Sequence, residues 1–475
     1  MASSKDNVTS KQKNKGEEIS SIWDNVTAAD LKEIEQFSEG YIEFLTIAKT
    51  ERKVLDYVRM EAGGNSLHDL SKPYPNRRIS GFLQHHKKLL GLFRQGKASV
   101  EEGFNIIVAH GDSPRLDLKP KCIYEDGTLG LLKTNLYGGL KKFQWLARPV
   151  ALWGFSALKD GRTIDYTFGE RSQDPVLTIT DILPHMDRKI QREKRLTEAF
   201  PAEKLNVLAA SRPLPGKAND DKKRIKGALV KILYDKWGIR EEDLISSEIE
   251  IVPAGRARQV GLDGSFIGGY GQDDRLSVYT GAKAFFSQSR PAKPLLFIIF
   301  DREEIGSYGT TGANSNFIER LASAAFEASG LEPKWHSVLK SLSLSRAISA
   351  DVECGRDPTF KEVIDELNSA RLSYGPCLTR YTGGTAKYGA SEAAAEYMAK
   401  VRNIFDSSGI RWQSSLIGKQ EEGGGGTVAL TLAEYGINIV DCGAPVLSMH
   451  SPFEISSKAD VWMTFKAYAA FFEKA

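Results

Sequence analysis

The sequence has few of the features that mark secreted, membrane-spanning or nucleic-acid-binding proteins. Its 475 residues include 4 cysteines, too few for a disulfide framework, and no Cys-x-x-Cys pair that would bind zinc through thiolates. No apolar run approaches the length needed to cross a bilayer. The 64 Lys and Arg residues nearly balance the 61 Asp and Glu residues, so the net charge is only +3. We therefore expect a soluble cytoplasmic protein without nucleic-acid or membrane partners.

The amino end differs in composition from the rest of the chain. Residues 1–20 are polar and lysine-rich and lack the apolar core of a signal peptide or a membrane anchor, so we expect a disordered tail. The remaining length is too great for one ordinary hydrophobic core and predicts two domains.

Two helices are predicted near the start of the ordered chain. The first begins near Thr27, whose spacing to Asp30 resembles a capping box, and ends before the glycine pair at 63–64. The second covers residues 81–95 and carries His85 and His86. We expect these two histidines to be solvated or to pack, because neighbouring residues point to different sides of a helix.

Four apolar runs are each followed by side chains that bind metals. The runs and the residues after them are 105–109 with His110, 295–300 with Glu303 and Glu304, 347–350 with Asp351, and 437–440 with Asp441 and, after a loop, His450. Helical patterns separate these runs, which predicts an open, mostly parallel α/β sheet flanked by helices. Ligands bind beyond the carboxyl ends of such strands, so the acids and histidines are expected to converge.

A different pattern occupies residues 124–264. Trp145, Trp153, several glycines and an alternation over 165–168 favour antiparallel strands. We interpret this segment as a β-rich domain inserted into a discontinuous catalytic domain that consists of residues 21–123 and 265–475.

Taken singly, each candidate site residue has an ordinary explanation. Asp273 and Asp274 could cap a helix, or one of them could bridge two metals. Glu303 and Glu304 could form a surface turn, or one could bind metal while its neighbour faces the attacking water. Asp112, two residues after a histidine, could orient its imidazole ring, although such pairs also occur by chance.

Taken together, two histidines and several carboxylates at one sheet edge predict a metal centre. Mixed nitrogen and oxygen ligands suit zinc, with cobalt or manganese as substitutes. The glycine run that contains Gly424 and Gly425 is either a flexible linker or backbone that approaches the substrate before a helix.

Four motifs in this order resemble the aminopeptidase I family of zinc metallopeptidases, which includes aspartyl aminopeptidase. The motifs are HGDSPRLDLK at 110–119, DDRL at 273–276, DREEIGS at 301–307 and SMHSPF at 448–453. The segments around Asp273 and the glycine run are closer to the bacterial-type branch than to the aspartyl enzymes. Acidic-residue specificity is therefore no more expected than a preference for neutral or basic residues.

The resemblance implies a zinc-exopeptidase-like fold whose β-rich insert serves in dimerisation, with dimers assembled into a tetrahedral dodecamer. It implies two zinc ions per subunit, one held by His110, Asp273 and Asp351 and the other by Asp273, Glu304 and His450. Glu303 matches the general base and Asp112 the residue that supports His110. His185 matches, loosely, a histidine that reaches the oxyanion of a neighbouring subunit.

The expected function is a metal-dependent aminopeptidase that removes unblocked amino-terminal residues from peptides by activating water between two metals. A two-metal amidase or deacylase is the alternative within enzymes, because a fold does not fix the substrate. A non-catalytic shell protein that kept the assembly is the alternative outside them.

Overall fold

The structure is a computed structural model that describes residues 20–74, 78–216, 223–384, 388–419 and 423–475. All but the last residue of the expected tail therefore lies outside the described residues. The helices are α1 (Ala28–Ile47), α2 (Glu51–Gly64), α3 (Leu196–Ala199), α4 (Arg224–Trp237), α5 (Gln272–Ser287), α6 (Phe317–Ala328), α7 (Trp335–Ser343), α8 (Ala395–Ser407), α9 (Ala429–Ala433) and α10 (Lys458–Lys474). None of them combines the length and the hydrophobicity that crossing a bilayer requires.

In chain order, the strands are β1 (His68–Asp69), β2 (Gly81–His85), β3 (Leu89–Arg94), β4 (Asn105–His110), β5 (Arg115–Asp126), β6 (Leu129–Tyr137), β7 (Pro149–Ala157), β8 (Thr163–Phe168), β9 (Leu177–Ile179), β10 (Val207–Ala210), β11 (Ser247–Pro253), β12 (Arg258–Val260), β13 (Phe266–Gly269), β14 (Leu295–Phe300), β15 (Arg346–Ser349), β16 (Glu353–Cys354), β17 (Cys377–Thr379), β18 (Tyr381–Gly384), β19 (Tyr388–Glu392), β20 (Gln413–Ser414), β21 (Asn438–Gly443), β22 (Pro445–Leu447) and β23 (Glu454–Ser457).

A nine-stranded sheet forms the centre of the fold, in the order β1-β2-β3-β14-β4-β15-β21-β17-β20. Its four central strands, from β14 to β21, are parallel. Every residue of β4 and β14 is buried, which explains why both read as uninterrupted apolar runs. The predicted mostly parallel α/β sheet is confirmed.

Helices cover both faces of this sheet. Successive residues of β4 face opposite sides, so Ile107 packs with one hydrophobic cluster and Val108 with the other. The first cluster contains residues of α1, α2, α5, α8 and α10, and the second contains residues of α6, α7 and α9. The arrangement is three layers deep, which leaves the strand ends as the accessible part of the sheet.

Two predictions for the first hundred residues were wrong. Residues 81–95 form a hairpin of β2 and β3, not a helix, because β3 pairs with β14 and a short apolar run fits strand or helix equally well. His86 and Lys87 turn the chain with left-handed φ angles of 48° and 55°. The expected first helix is two helices, since Thr50 caps the start of α2. Its beginning is as predicted, with a capping box between Thr27 and Asp30.

The β-rich region forms a second, seven-stranded sheet in the order β11-β5-β6-β10-β9-β7-β8. Because β11 also pairs with β7, six of these antiparallel strands close on themselves and leave few exposed edges. The sheet is built from strands between residues 115 and 253, whereas β12 joins β13, β23, β22 and β16 in a five-stranded sheet. The division of the chain into domains at 124 and 264 stays a prediction.

Candidate metal centre

Three neighbouring strands bring potential ligands to one edge of the nine-stranded sheet. His110 is the last residue of β4, Glu303 and Glu304 follow β14, and Asp351 follows β15. Since β4 lies between β14 and β15 and is parallel to both, their carboxyl ends meet. These four side chains therefore start from the place where open α/β sheets bind ligands.

The five-stranded sheet adds two further side chains. Asp273 is near the start of α5, just after β13, and His450 lies between β22 and β23. The pairing of β13 with β23 brings them together. Glu454, the first residue of β23, accepts hydrogen bonds from the His450 amide at 2.7 Å and from the Asp273 amide at 3.2 Å. A buried carboxylate thus fixes the backbone of both residues.

Asp273 lies between the two histidines. Its Oδ1 atom is 3.3 Å from Nε2 of His110, and its Oδ2 atom is 3.0 Å from Nε2 of His450. Each carboxylate oxygen therefore faces a different imidazole nitrogen. This is the arrangement needed for one carboxylate to bridge two metal ions.

The remaining carboxylates divide between the histidines. Oδ1 of Asp351 is 3.8 Å from Nε2 of His110, and Oε1 of Glu304 is 3.5 Å from Nε2 of His450. Ligand atoms at the corners of a tetrahedral zinc site are roughly 3.3 Å apart, given bonds of about 2.0 Å. The separations are close enough for each histidine and its carboxylates to share an ion after small side-chain shifts.

Asp274 also belongs to the cluster. The atoms that it, His110 and Asp351 offer as ligands lie within 4.8 Å of one another, as do those of His110, Asp273 and Glu304. Its Oδ2 atom accepts the His110 amide at 3.4 Å. The described residues therefore contain more carboxylates around His110 than the predicted ligand set requires.

The polar atoms of the cluster fit a divalent cation. Oε1 of Glu304 and Oδ1 of Asp274 are buried and find no hydrogen-bond partner within the described parts of the chain. Burying an unpaired carboxylate oxygen is costly, and a metal ion is the partner that compensates for it. The donors, imidazole nitrogens and carboxylate oxygens, are those that zinc accepts.

The charges of the cluster perturb one another. Burial raises the pKa of Glu303 to about 8 and raises the pKa of Asp351. Burial opposes the charged form of both histidines, but the neighbouring carboxylates outweigh it and raise the pKa of His450 to about 10 and that of His110 well above 6.5. Such mutual dependence is typical of sites where cations and protons compete for the same ligands.

Asp112 lies behind His110, on the side of the ring that faces away from Asp273. Nδ1 of His110 is 3.1 Å from the Asp112 carbonyl oxygen and 3.4 Å from its Oδ1 atom. The same carboxylate accepts the backbone amides of Glu303 and Glu304, each at 3.2 Å. One buried aspartate thus connects His110, at the end of β4, with the two glutamates that follow the neighbouring strand β14.

The structure does not bring His185 to this centre. His185 is exposed, between β9 and the short α3, and none of the ion pairs found in the described chain involves it. Gly424 and Gly425 are also exposed, and the Gly425 carbonyl accepts the Gly383 amide at 2.7 Å. The helix that follows the glycines, α9, has only five residues. Glu421, at the start of that run, lies outside the described residues.

Sequence reasoning assigned no role to Glu454 or Tyr137, and it considered Asp274 only as a helix cap or as the alternative to Asp273 for bridging two metals. Tyr137 donates a hydrogen bond to Oδ2 of Asp112 at 2.9 Å from the end of β6. No local pattern identifies Tyr137, and Glu454, although only four residues after His450, reaches Asp273 through tertiary pairing. Asp274 had one signal, its position directly after Asp273.

Comparisons with a family model and with known sequences point to one and the same protein family. The family model described as Aminopeptidase I zinc metalloprotease (M18) matches residues 44–472. A Borreliella afzelii protein named Probable M18 family aminopeptidase 1 is 42% identical over 457 residues, which are 95% of this chain and 99% of that protein. A Thermotoga maritima protein of the same name is 40% identical over 446 residues, 93% of this chain and 97% of its own.

Solved structures show the same fold. The crystal structure of an M18 family aminopeptidase from Thermotoga maritima superposes with a TM-score of 0.91 at 38% identity, and the match covers 96% of this chain and 100% of that one. The S. cerevesiae mApe1 dodecamer gives a TM-score of 0.73 at 19% identity, with 93% of this chain and 97% of that one covered. At 19% sequence identity, the similarity to the mApe1 dodecamer shows a shared fold and nothing more.

Proposed function

Because the chain belongs to the aminopeptidase I zinc metalloprotease (M18) family, we propose that the metal centre at the sheet edge is its active site. The family makes the chain a metal-dependent aminopeptidase, a hydrolase that acts on the amino end of peptides. The observation that carries the assignment of the site is the position of Asp273 between His110 and His450.

The proposed ligands would hold two metal ions per subunit. Zinc is the preferred ion, with cobalt or manganese as substitutes. One ion is assigned to His110, Asp273 and Asp351, and the other to Asp273, Glu304 and His450. When bound by these residues, two such ions would supply Lewis acidity, which would lower the pKa of the attacking water and polarise the scissile carbonyl.

Glu303 is proposed as the general base. Its carboxylate projects toward the cluster, with Oε2 at 3.9 Å from Nε2 of His110, whereas the neighbouring Glu304 faces His450. Glu303 accepts the proton of the attacking water and passes it to the leaving amine. The hydrogen bond from its amide to Asp112 holds it on the same support as His110.

The substitutions Glu303→Gln and Glu304→Gln make a matched pair. They differ by one position, yet we expect Glu303→Gln to keep both metal equivalents and to lose roughly 100-fold to 10,000-fold in kcat, the contribution typical of a general base. Glu304→Gln should lose metal as well as activity. Metal content by elemental analysis and peptidase rates on zinc-loaded protein measure the two effects, and a Glu303→Gln variant with wild-type kcat would overturn the assignment of the base.

A substrate panel tests the reaction itself. Free and N-acetylated aminoacyl substrates, with acidic, neutral and basic amino-terminal residues, should be compared on zinc-loaded and cobalt-loaded protein. An aminopeptidase cleaves the free compounds, whereas equal or faster cleavage of the acetylated ones would favour an amidase or deacylase. The same panel decides between acidic and neutral or basic specificity. Failure to bind two metals or to turn over any compound would instead favour a shell protein.

We also propose that the chain forms dimers through the β-rich region, and that the dimers assemble into a tetrahedral dodecamer. The proposal is supported by the fold shared with the S. cerevesiae mApe1 dodecamer and by the position of His185. An exposed histidine that is absent from the cluster of its own subunit is free to reach a neighbour's active site.

A further inference from the structure

One short segment contacts the metal centre at two places, one near each of the two histidines. This segment, Tyr137–Gly139, begins at the last residue of β6 in the seven-stranded sheet. Its tyrosine lies against Asp112, and its last glycine lies against His450. None of the three residues belongs to the proposed ligand set.

The first contact acts on His110 through Asp112. The Tyr137 hydroxyl donates to Oδ2 of Asp112 at 2.9 Å, and burial raises the pKa of this tyrosine, so its proton stays in place. The guanidinium of Arg115 stacks at 3.8 Å from the tyrosine ring centroid. The hydroxyl is therefore held by a fixed ring and is aimed at the carboxylate that supports His110, Glu303 and Glu304.

The second contact acts on His450 directly. The Gly139 carbonyl oxygen is 2.7 Å from Nδ1 of His450, which must donate because a carbonyl only accepts. With a proton fixed on Nδ1, Nε2 is the nitrogen that can release its proton and bind a metal, and it lies 3.0 Å from Oδ2 of Asp273. The carbonyl thus selects the ring tautomer that can bind a metal through Nε2.

Gly138 allows the two contacts to coexist. Its φ of 72° is left-handed, which favours glycine. A Cβ atom there would lie 3.2 Å from Cα of Pro114 and 3.3 Å from Cβ of Glu304, tighter than ordinary van der Waals contact. The backbone consequently passes close beside Glu304. Within three residues it contacts Asp112, which supports His110, and His450 itself.

We propose that Tyr137–Gly139 is a positioning element that orients both metal-binding histidines, with Tyr137 acting through Asp112 and Gly139 acting on His450. This inference rests on the proposed two-metal function. It also assigns part of the support of the active site to the seven-stranded sheet. The strand ends of the central sheet provide ligands, but the ring orientations depend on the second sheet.

The substitution Tyr137→Phe tests the first contact. It removes the hydroxyl but keeps the ring under Arg115, so the fold should be retained. Loss of such an outer support typically costs 10-fold to 100-fold in metal affinity or activity, and we expect this loss for one of the two zinc equivalents. Zinc titration against a chromophoric chelator and the visible spectrum of the cobalt-loaded protein measure it independently of activity. In the loaded variant, kcat should fall while KM changes little.

Tyr166→Phe is the matched control. Tyr166 is a buried tyrosine of the same sheet whose hydroxyl is 3.0 Å from Oγ of Ser156, away from the metal centre. Its loss should leave both zinc affinities and the cobalt spectrum unchanged. If Tyr137→Phe behaves like Tyr166→Phe in both measurements, the proposal is wrong.

Gly138→Ala tests the segment as a whole. The added methyl should displace the backbone beside Glu304 and weaken both zinc equivalents, in contrast to the single loss expected for Tyr137→Phe. Unchanged binding of both ions by a folded Gly138→Ala protein would overturn the shared role of the segment. A wild-type protein that binds fewer than two zinc ions would overturn the two-metal assignment itself, before either variant is considered.

Discussion

Asp273 and Asp274 are adjacent in sequence but occupy different environments. Asp273 has one oxygen toward each histidine, and although burial opposes its charged form, His110 and His450 lower its pKa. Burial and the Asp351 carboxylate raise the pKa of Asp274, whose Oδ2 accepts a backbone amide. The first residue is suited to bridge cations, and the second to support the strand that carries His110.

Substitution with asparagine distinguishes the two residues. Asp273→Asn should lose most of both metal equivalents, because the neutral amide cannot bridge two cations. Asp274→Asn should keep both, because an amide oxygen can still accept the His110 amide. Zinc content after dialysis against a weak chelator measures the difference. Loss of one equivalent from Asp274→Asn would make Asp274 a ligand and would revise the proposed set.

At the scale of elements, a buried group of charges joins α2, the turn between β2 and β3, and the seven-stranded sheet. Glu51, the first residue of α2, is fully buried and lies 2.7 Å from Nζ of Lys88 and 3.4 Å from a guanidinium nitrogen of Arg115. Arg115 in turn pairs with Glu250 on β11 at 3.1 Å. The pairing continues from the helix into the second sheet, so Glu51 connects the two.

Glu51→Gln should destabilise the protein by about 3–5 kcal/mol at neutral pH, the usual cost of breaking a buried pair. Burial opposes the charged form, but Arg115 and Lys88 outweigh it and hold the pKa of Glu51 below its usual range. A carboxylate with a lowered pKa stabilises the fold above its unfolded pKa of about 4.3 and ceases to do so as pH falls through the folded value. The difference between variant and wild type should therefore shrink at acidic pH.

Glu61→Gln on the same helix is the control. Glu61 pairs with Lys283 at 2.9 Å, but both side chains are about one third exposed, so we expect a loss of about 0–1 kcal/mol. Calorimetric unfolding of both variants from pH 3.5 to pH 8 compares them. Equal destabilisation by the two substitutions, or a Glu51 effect that is independent of pH, would contradict the role given to the buried pair.

At the scale of the whole molecule, the seven-stranded sheet has two proposed roles. Within the subunit it contributes Tyr137–Gly139 to the metal centre. Between subunits, the connection that follows its strand β9 presents His185, which is exposed and is not part of the metal centre of its own subunit. Both roles make the active site depend on a part of the chain that supplies none of the proposed ligands.

His185→Ala should leave the assembly and the metal content unchanged and should reduce kcat, because an oxyanion donor acts in the transition state. Native mass spectrometry should show particles of twelve 52.5 kDa chains for the variant and the wild type alike. His336→Ala, which removes an exposed histidine on α7, is the control and should keep full activity. Full activity of His185→Ala would remove this residue from the mechanism.

Much of the fold was predicted from local patterns, and the errors have a common cause. The runs that became β4 and β14 were identified because buried parallel strands have uninterrupted apolar sequences. A similar apolar composition led to the wrong prediction of a helix at 81–95, where pairing with β14 places the segment in a hairpin. The break before Thr50 was also missed. Beside it, Lys49 is buried and bonds to Glu170, a contact between residues far apart in sequence.

The sequence by itself determined the family, the fold class and the residue types at the strand ends, because these depend on local chemistry and on the order of motifs along the chain. Only the tertiary structure decided which atoms meet. It placed Asp273 between two histidines and brought Glu454 to the Asp273 amide, Tyr137 to Asp112 and Gly139 to His450. Such contacts follow from strand pairing and side-chain direction across sheets, which no single segment of the chain specifies.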